Sequence, residues 1–290
     1  MSQKYFKIIF TIILVVAATS IFAWQRPNLN NNDPKLEVDF LDVGQGDSIL
    51  LRAPGGQNVL IDGGPLAGQV TKRLSENLPL GDKTIDLMIL THPHDDHVAG
   101  LINVLKNYQV KKILYTGALH TSPNYLAWLN LIKSKKIPLT IIDHPQLIDL
   151  GLGCKINILY PMESFLNKEF EDLNASSIVL KVEYQGKKIL LAGDATTKEV
   201  ETTLLQKHID VSADVFKASH HGSDTSNSKE FLAAVKPQEI VISVGKDNQF
   251  GHPHPRALKR MERTGARIWR TDQRGTVKLI INNEQLSITN

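Results

Sequence analysis

Cysteine is nearly absent from this sequence, since Cys154 is the only one among 290 residues. A single thiol excludes a disulfide within the chain and a zinc site built from several cysteines. Aromatic residues are also few, at 6% of the chain, and they form no series that would suggest a stacking surface for single-stranded nucleic acid. Any metal site in this chain must therefore be built from histidine and carboxylate ligands.

Neither sign of charge dominates the chain. Lysine and arginine together number 33, and aspartate and glutamate 30, so the formal net charge is +3. This balance does not indicate nucleic-acid binding through the field of the whole protein, although it leaves a local basic groove open. Because 42% of the residues are hydrophobic, the chain has enough apolar side chains for a globular core.

The one long apolar run lies at the N-terminus. Lys4 and Lys7 precede an uncharged stretch, and the apolar residues 6–24 just reach the length of a membrane span. We interpret residues 1–24 as a signal sequence or, in preference, as an uncleaved single-pass membrane anchor. Since the lysines flank only its N-terminal side, the positive-inside rule places the rest of the chain outside the cytoplasmic membrane. Cleavage of this segment, which would make the protein secreted, is the alternative.

The remainder of the chain reads as one long domain. Residues 25–35, with three consecutive asparagines and two prolines, predict a polar linker. Over residues 36–290, short β-like runs alternate with helical patterns, without an internal repeat. About a dozen strands and five or six helices favour an α/β fold in which helices face two sheets. We predict that residues 36–290 form a single domain.

The strongest chemical signal is the string Thr-His-Pro-His-Asp-Asp-His at residues 91–97. It follows an apolar strand, predicted at 85–90, and precedes a helix that begins near His97. A loop between a strand and a helix lets near neighbours in sequence converge on one point. Imidazole and carboxylate are the groups that bind zinc, manganese or iron. Asp95 is the weaker candidate, because alternate residues can point in opposite directions.

Several further motifs accompany this string. They are Leu-Asp-Val-Gly-Gln-Gly-Asp-Ser at 41–48, Ile-Asp-Gly-Gly at 61–64, Ala-Gly-Asp at 192–194, Ser-His-His-Gly-Ser at 219–223, Phe-Gly-His-Pro at 250–253 and Arg-Thr-Asp at 270–272. Together they resemble the motif series of the metallo-β-lactamase superfamily, and in particular the hydrolase domain of ComEC-type competence proteins, which handle incoming DNA. The resemblance covers nearly the whole chain after the linker. It implies a four-layer αββα sandwich and a centre of two divalent ions, zinc or manganese.

The resemblance also implies roles for individual residues. His92 and His94 would bind one metal ion, and Asp96 and His97 would bind the second. Asp194 would bridge the two ions. Its position supports this independently, because the apolar strand predicted at 188–191 ends in Ala-Gly and exposes the next carboxylate at a sheet edge.

The remaining candidates complete or surround this centre. One of His220 and His221 would complete the second site while the other faces substrate, an order that the motif leaves open; we assign His220 to the metal and His221 to catalysis. Many superfamily members have another histidine where this chain has Asn174, and His252 is expected to reach the site instead. Asp62 would orient the ligating histidines, unless it is only a turn residue. Further catalytic, supporting or substrate-contacting candidates are Asp96, Asp47 and Ser223.

Two metal ions held close together lower the pKa of a water between them and stabilise both oxygens of an ester displacement. We therefore predict a metal-dependent hydrolase, a phosphodiesterase or nuclease that acts on DNA outside the membrane, with DNA-uptake proteins as candidate partners. A groove for DNA would draw on scattered basic residues, namely Lys217, Lys246, Arg256, Lys259, Arg260, Arg263, Arg267, Arg270 and Arg274. The alternatives are a phosphoesterase for a small or envelope-linked substrate and a catalytically silent DNA-binding accessory module.

Overall fold

The structure is a computed structural model and describes residues 34–65 and 67–290. The predicted signal sequence or anchor, residues 1–24, lies outside the described residues, as does nearly all of the predicted linker. Within the described part of the chain, no helix combines the length and the apolar character that crossing a membrane requires.

The strands, in chain order, are β1 (Leu36–Phe40), β2 (Ile49–Arg52), β3 (Asn58–Ile61), β4 (Thr84–Ile85), β5 (Leu87–Ile89), β6 (Gln109–Val110), β7 (Ile113–Tyr115), β8 (Leu139–Ile141), β9 (Gln146–Gly151), β10 (Cys154–Tyr160), β11 (Val179–Tyr184), β12 (Lys187–Leu191), β13 (Val215–Lys217), β14 (Glu239–Ile242), β15 (Arg267–Arg270), β16 (Val277–Asn282) and β17 (Gln285–Thr289). They form an eight-stranded sheet in the order β17-β16-β1-β2-β3-β5-β7-β8, and a seven-stranded sheet in the order β15-β14-β13-β12-β11-β10-β9. Strands β4 and β6 pair separately.

The helices are α1 (Ala67–Asn77), α2 (Asp95–Asn107), α3 (Pro123–Lys135), α4 (Thr202–Gln206), α5 (Lys229–Val235), α6 (Pro255–Glu262) and α7 (Thr271–Arg274). Short helical turns lie at Thr197–Glu201, Leu173–Ser176 and Ser219–Gly222. Local chemistry begins two of the helices. The Ser122 and Ser228 hydroxyls accept hydrogen bonds from the backbone N–H groups of Tyr125 and Phe231, which would otherwise lack partners in the first turns of α3 and α5.

The sheets face each other and carry helices on their outer faces. On β2, Ile49 and Leu51 belong to a core cluster that contains side chains from both sheets, whereas Leu50 packs into a second cluster with Leu101 of α2 and Trp128 of α3. A third cluster joins the outer face of the second sheet to α4, α5 and α6. Because alternate residues of a strand point to opposite faces, apolar runs such as these are buried on both sides. The predicted α/β fold with helix-faced sheets is confirmed.

The structure differs from the sequence prediction mainly at three strands. The apolar run predicted as one strand, 85–90, is divided, since Ile85 pairs with Val110 while β5 pairs with β3 and β7. The hairpin of β16 and β17 was not among the predicted strands, and β16 pairs antiparallel with β1 at the other end of the domain. The apolar residues at alternate positions, Val277, Leu279 and Ile281, are the period-two sequence signal that could have revealed β16.

The fold brings the chemical motifs to one edge of the sandwich. Strands β3 and β5 are parallel neighbours in the first sheet, and β12, β13 and β14 are parallel neighbours in the second. Loops that follow parallel strands meet at the carboxyl edge of their sheet, which is where open α/β proteins place their sites. The backbone N–H of Ile178 donates to the carbonyl of Thr91 at 3.0 Å and ties the two sheets together there.

Candidate metal centre

His92 and His94 form one side of the centre, in the loop between β5 and α2. The His92 ring is buried, and its Nε2 lies 3.0 Å from His94 Nδ1. On its other side, His92 Nδ1 lies 3.1 Å from the Thr91 hydroxyl, which donates to Asp62 Oδ2 at 2.7 Å. Because that hydroxyl gives its own proton to Asp62, it accepts the Nδ1 proton of His92. The lone pair of His92 Nε2 therefore faces His94, as two ligands of one ion require.

His97 is oriented by the same carboxylate. Its Nδ1 donates to Asp62 Oδ2 at 2.8 Å, so Nε2 is the ring nitrogen that can bind a metal ion once its proton is lost. That Nε2 is buried, has no hydrogen-bond partner among the described residues, and lies 3.4 Å from Asp194 Oδ2 and 3.8 Å from Asp96 Oδ2. Asp62 thus orients histidines on both sides of the centre, the arrangement in which a carboxylate fixes the ring of a metal-ligating histidine.

Asp194 lies in the middle of the cluster, directly after β12 and its Ala-Gly turn. Its Oδ2 is 3.4 Å from His97 Nε2 and 3.5 Å from His221 Nε2. The same oxygen is 3.9 Å from His92 Nε2 and 3.8 Å from His220 Nε2. One carboxylate oxygen therefore faces four imidazole rings.

His220 and His221 are neighbours in sequence but differ in their surroundings. Both have left-handed backbone, with φ of 49° and 51°. The His221 ring is buried; its Nδ1 donates to the Ser243 carbonyl at 2.9 Å, and its Nε2 faces Asp96 Oδ2 at 3.2 Å. His220 remains 23% exposed. The sequence analysis placed His220 in the metal set, and that assignment stays a prediction. One group of candidate ligands whose atoms lie within 4.8 Å of one another consists of Asp96, His97, Asp194 and His221.

The remaining predicted residues lie around this group. His252 is half-buried at its rim, with ring centroids 5.4 Å from His220 and 6.3 Å from His221. Asn174 is buried in a helical turn, and its amide oxygen has no hydrogen-bond partner among the described residues. The Ser223 hydroxyl lies 3.1 Å from the hydroxyl of Thr225, so its contact is within its own loop.

His120 was not singled out from the sequence. It follows β7, is half-buried, and its ring centroid lies 6.3 Å from that of His94. A histidine shortly after an apolar strand that runs parallel to β5 is the signal that could have found it.

Lys217 is the residue whose role the sequence analysis missed. The expectation that it lines a surface groove is wrong, because its side chain is 0% exposed. Its ammonium forms a close ion pair with Asp47, donates to the Gly193 carbonyl at 3.2 Å, and lies 4.0 Å from Asp194 Oδ1. Its place at the end of β13, paired with Leu191 at the end of β12, explains the burial.

Asp47 extends this ion pair to the other side of the cluster. Its Oδ1 lies 3.5 Å from His221 Nδ1, and its backbone N–H donates to the Asp96 carbonyl at 3.3 Å. Gly46 allows this close approach, since a β-carbon there would lie 2.2 Å from the Asp96 carbonyl oxygen. The loop at 44–47 is therefore packed directly against the loop that carries the predicted ligands.

The histidines and carboxylates of the cluster stabilise each other's charged forms. Burial by itself would raise the pKa of Asp194, but His221 and His97 hold it well below its ordinary value. Burial opposes protonation of His221 as well, yet Asp194 and Asp47 raise its pKa to about 10. Asp194 and Asp96 likewise raise the pKa of His97 well above its ordinary value, against the effect of burial. Without a metal ion, these two histidines join Lys217 in balancing the charge of the carboxylates.

These donors fit divalent metal ions. Imidazole and carboxylate groups converge, and two buried donor atoms in the centre, His97 Nε2 and Asp194 Oδ1, lack a hydrogen-bond partner among the described residues. Mixed nitrogen and oxygen ligands of this kind accept zinc, manganese or iron.

Metal binding is expected to release protons. In the metal-free protein at neutral pH, the rings of His97 and His221 are in their charged, doubly protonated form. Each ring must lose one proton to act as a ligand, so the apparent affinity for metal should rise with pH until about 10, the pKa of His221. Isothermal titration of zinc at pH 7 in two buffers of different ionisation enthalpy should show release of roughly two protons per chain. Equal heats in both buffers would contradict this prediction.

Comparisons with known proteins agree with this site. A sequence profile of the Metallo-beta-lactamase superfamily matches residues 41–246. Relatives include ComE operon protein 3 of Bacillus subtilis (strain 168), 30% identical over 85% of this chain, and Competence protein ComA of Neisseria gonorrhoeae, 29% identical over 83%. The matched regions are 33% and 32% of those two proteins, so this chain spans about a third of their length.

Solved structures show the same fold at low sequence identity. Igni18, a metallo hydrolase from Ignicoccus hospitalis KIN4/I, superimposes with a TM-score of 0.55 and 15% identity over 84% of this chain and 98% of its own. A diphosphatase from the PhnP family superimposes with a TM-score of 0.52 and 14% identity over 86% of this chain and 98% of its own. These likenesses establish the fold alone.

Proposed function

Because the chain belongs to the metallo-β-lactamase superfamily and is related to ComEC-type competence proteins, we propose that it is a metal-dependent phosphodiesterase that cleaves DNA outside the cytoplasmic membrane. The observation that carries the proposal is the convergence of Asp96, His97, Asp194 and His221. Ester hydrolysis by two metal ions needs a site of this composition.

The ligand roles that we propose follow the contacts. His92 and His94 would hold the first ion, Asp96, His97 and His221 would hold the second, and Asp194 would contribute to both sites. This exchanges the roles first assigned to His220 and His221, because His221 directs Nε2 into the cluster when its Nδ1 donates to Ser243. When bound, the ions supply Lewis acidity for water activation and for the leaving oxygen.

His220 and His252 act on the open side of the centre, where substrate must enter. Burial and the neighbouring His221 lower the pKa of His252 to about 4, so its ring is neutral at pH 7. Its Nδ1 lies 3.5 Å from the side-chain nitrogen of Gln45, a donor, and therefore accepts. His252 Nε2 then carries the ring proton and donates a hydrogen bond to a phosphoryl oxygen.

The relatives' names support DNA as the substrate. One of them is called Competence protein ComA, another ComE operon protein 3, and a third is Recombination protein 2 of Haemophilus influenzae (strain ATCC 51907 / DSM 11121 / KW20 / Rd). This chain spans about a third of the length of the first two. We propose DNA-uptake proteins as its partners.

The function can be tested with the full chain in detergent. The protein would be stripped of metal, reloaded with zinc or manganese, and assayed on single-stranded DNA, double-stranded DNA and bis-p-nitrophenyl phosphate. We expect metal-dependent cleavage of DNA and of the small diester. Cleavage of the small diester alone would favour an envelope-linked or small phosphoester, and full metal occupancy without turnover would favour a silent DNA-binding module.

We also propose that residues 1–24 anchor the chain in the cytoplasmic membrane, with the catalytic domain outside. Protease added to intact spheroplasts should then degrade the domain, as it degrades a known extracytoplasmic protein. Protection of the domain until the cells are lysed would refute this orientation.

A further inference from the structure

An open cleft of about 320 Å³ lies beside the metal centre, on the far side of the loop at 44–47. Three of the six residues that line it are basic. The lining residues are Asp42, Gly44, Gln69, Lys72, Arg73 and Lys246. The cleft lies outside the group of metal-binding candidates and has no role in the function proposed above.

The cations of the cleft are not equivalent. Arg73 is fully engaged, because its guanidinium donates to the Asp42 carbonyl at 2.8 Å, to Asp42 Oδ2 at 3.1 Å and to Glu76 at 3.1 Å. The Lys72 side chain is 71% exposed, and its ammonium comes no closer than 4.0 Å to a carboxylate of the described residues. Lys246 is exposed, and no ion pair or hydrogen bond of the described residues engages its side chain. Arg73 therefore forms the wall, while the two lysines present ammonium groups to a ligand.

The cleft is joined to the metal centre by direct contacts. Gln45, next to Gly44, accepts a hydrogen bond from the backbone N–H of Gly245 at 3.2 Å and contacts His252 at 3.5 Å. Lys246 is three residues after Ser243, whose carbonyl holds His221. Three residues span at most about 11 Å. The backbone of Lys246 therefore lies within about three nucleotides of the Ser243 carbonyl, because the phosphates of a nucleic-acid strand recur about every 3.4 Å of helix rise.

We propose that this cleft binds a phosphate of the DNA strand up to about three nucleotides away from the phosphodiester at the metal centre, held by Lys72 and Lys246. The inference rests on the proposed phosphodiesterase function and adds a second point of recognition to it. Lysine ammonium groups bind phosphate as point charges. Such a contact serves a polymeric substrate and is useless to a small diester, which cannot reach both positions.

The test compares two substrates with the full-length protein. The Lys72→Ala/Lys246→Ala double variant should show a raised KM for a single-stranded oligonucleotide, with its kcat unchanged and its kinetics on bis-p-nitrophenyl phosphate unaltered. The slope of log(kcat/KM) against log[salt] for the oligonucleotide should become shallower by about 0.7 for each lysine removed. Lys155→Ala removes an exposed lysine from β10, near the other edge of the second sheet, and is the matched control.

Each outcome bears on a different claim. If the double variant and Lys155→Ala have the same oligonucleotide KM and salt slope, the cleft does not bind the strand. A lysine-dependent KM for a glycerol-phosphate oligomer but not for DNA would also overturn the proposal, since the second phosphate would then belong to an envelope polymer. Failure of the unaltered, metal-loaded protein to cleave either phosphodiester would instead refute the proposed function.

Discussion

The Asp194→Ala variant is expected to lose at least about 10³-fold in kcat on bis-p-nitrophenyl phosphate, because metal ions contribute several kcal/mol of transition-state stabilisation and 1.36 kcal/mol corresponds to tenfold. The Asp194 carboxylate is the one group that faces four imidazole rings, at 3.4 to 3.9 Å. Its loss would remove the ligand that we propose both metal sites share, and it leaves His97 and His221 without the anion that stabilises their charged form.

Metal analysis and steady-state kinetics of this variant test the prediction together. Its bound metal per chain should fall, whereas the fold should persist, as circular dichroism would show. Asp143→Ala is the matched control, because Asp143 is an exposed aspartate whose near contact is His144. Unaltered turnover or metal content in Asp194→Ala would refute the centre as described. Unaltered biological activity despite lost turnover would support the silent binding module.

The Lys217→Met variant is expected to bind metal about 10 to 100-fold more weakly, the usual effect of losing a group that positions a ligand. Lys217 holds the Gly193 carbonyl, one residue before Asp194, and pairs with Asp47 beside His221. It is therefore a buried cation close to two buried carboxylates, Asp47 and Asp194. Methionine has similar length and no charge, so the substitution also removes the nearest cation of buried Asp47, and the loss of one partner of a buried ion pair costs up to about 3 to 5 kcal/mol.

Stability and positioning can be separated by two further variants. Lys181→Met removes another buried lysine, on β11, which donates to exposed Asp210 at 2.9 Å in the loop before β13, and it should leave metal affinity unchanged. The Lys217→Met/Asp47→Leu double variant should be more stable than Lys217→Met, because the carboxylate that lost its lysine is also gone. Its metal affinity should stay weak, and the absorption spectrum of bound cobalt should still differ from that of the unaltered protein. Full recovery of affinity in the double variant would show that the ion pair only stabilises the fold.

The identity of the predicted ligands could be read from the sequence because their chemistry is local. His92, His94, Asp96 and His97 lie within six positions of one strand-to-helix loop, so even approximate element boundaries bring them together. Residue type alone excluded a cysteine-based site.

Packing between distant segments decided which side chains enter the cluster, and neighbouring positions in the sequence could not predict this. His220 and His221 have the same side chain and similar backbone angles, and only the Ser243 carbonyl, 22 positions further along the chain, distinguishes the ring that enters the cluster. Lys217 and Lys246 look alike as basic residues. One lies under the metal centre because β13 pairs with β12 in the interior, and the other is exposed in the loop after β14. The sequence by itself determined which groups can bind metal, and the tertiary structure decided which of them meet, because hydrogen bonds and burial between distant segments set the direction and charge of each side chain.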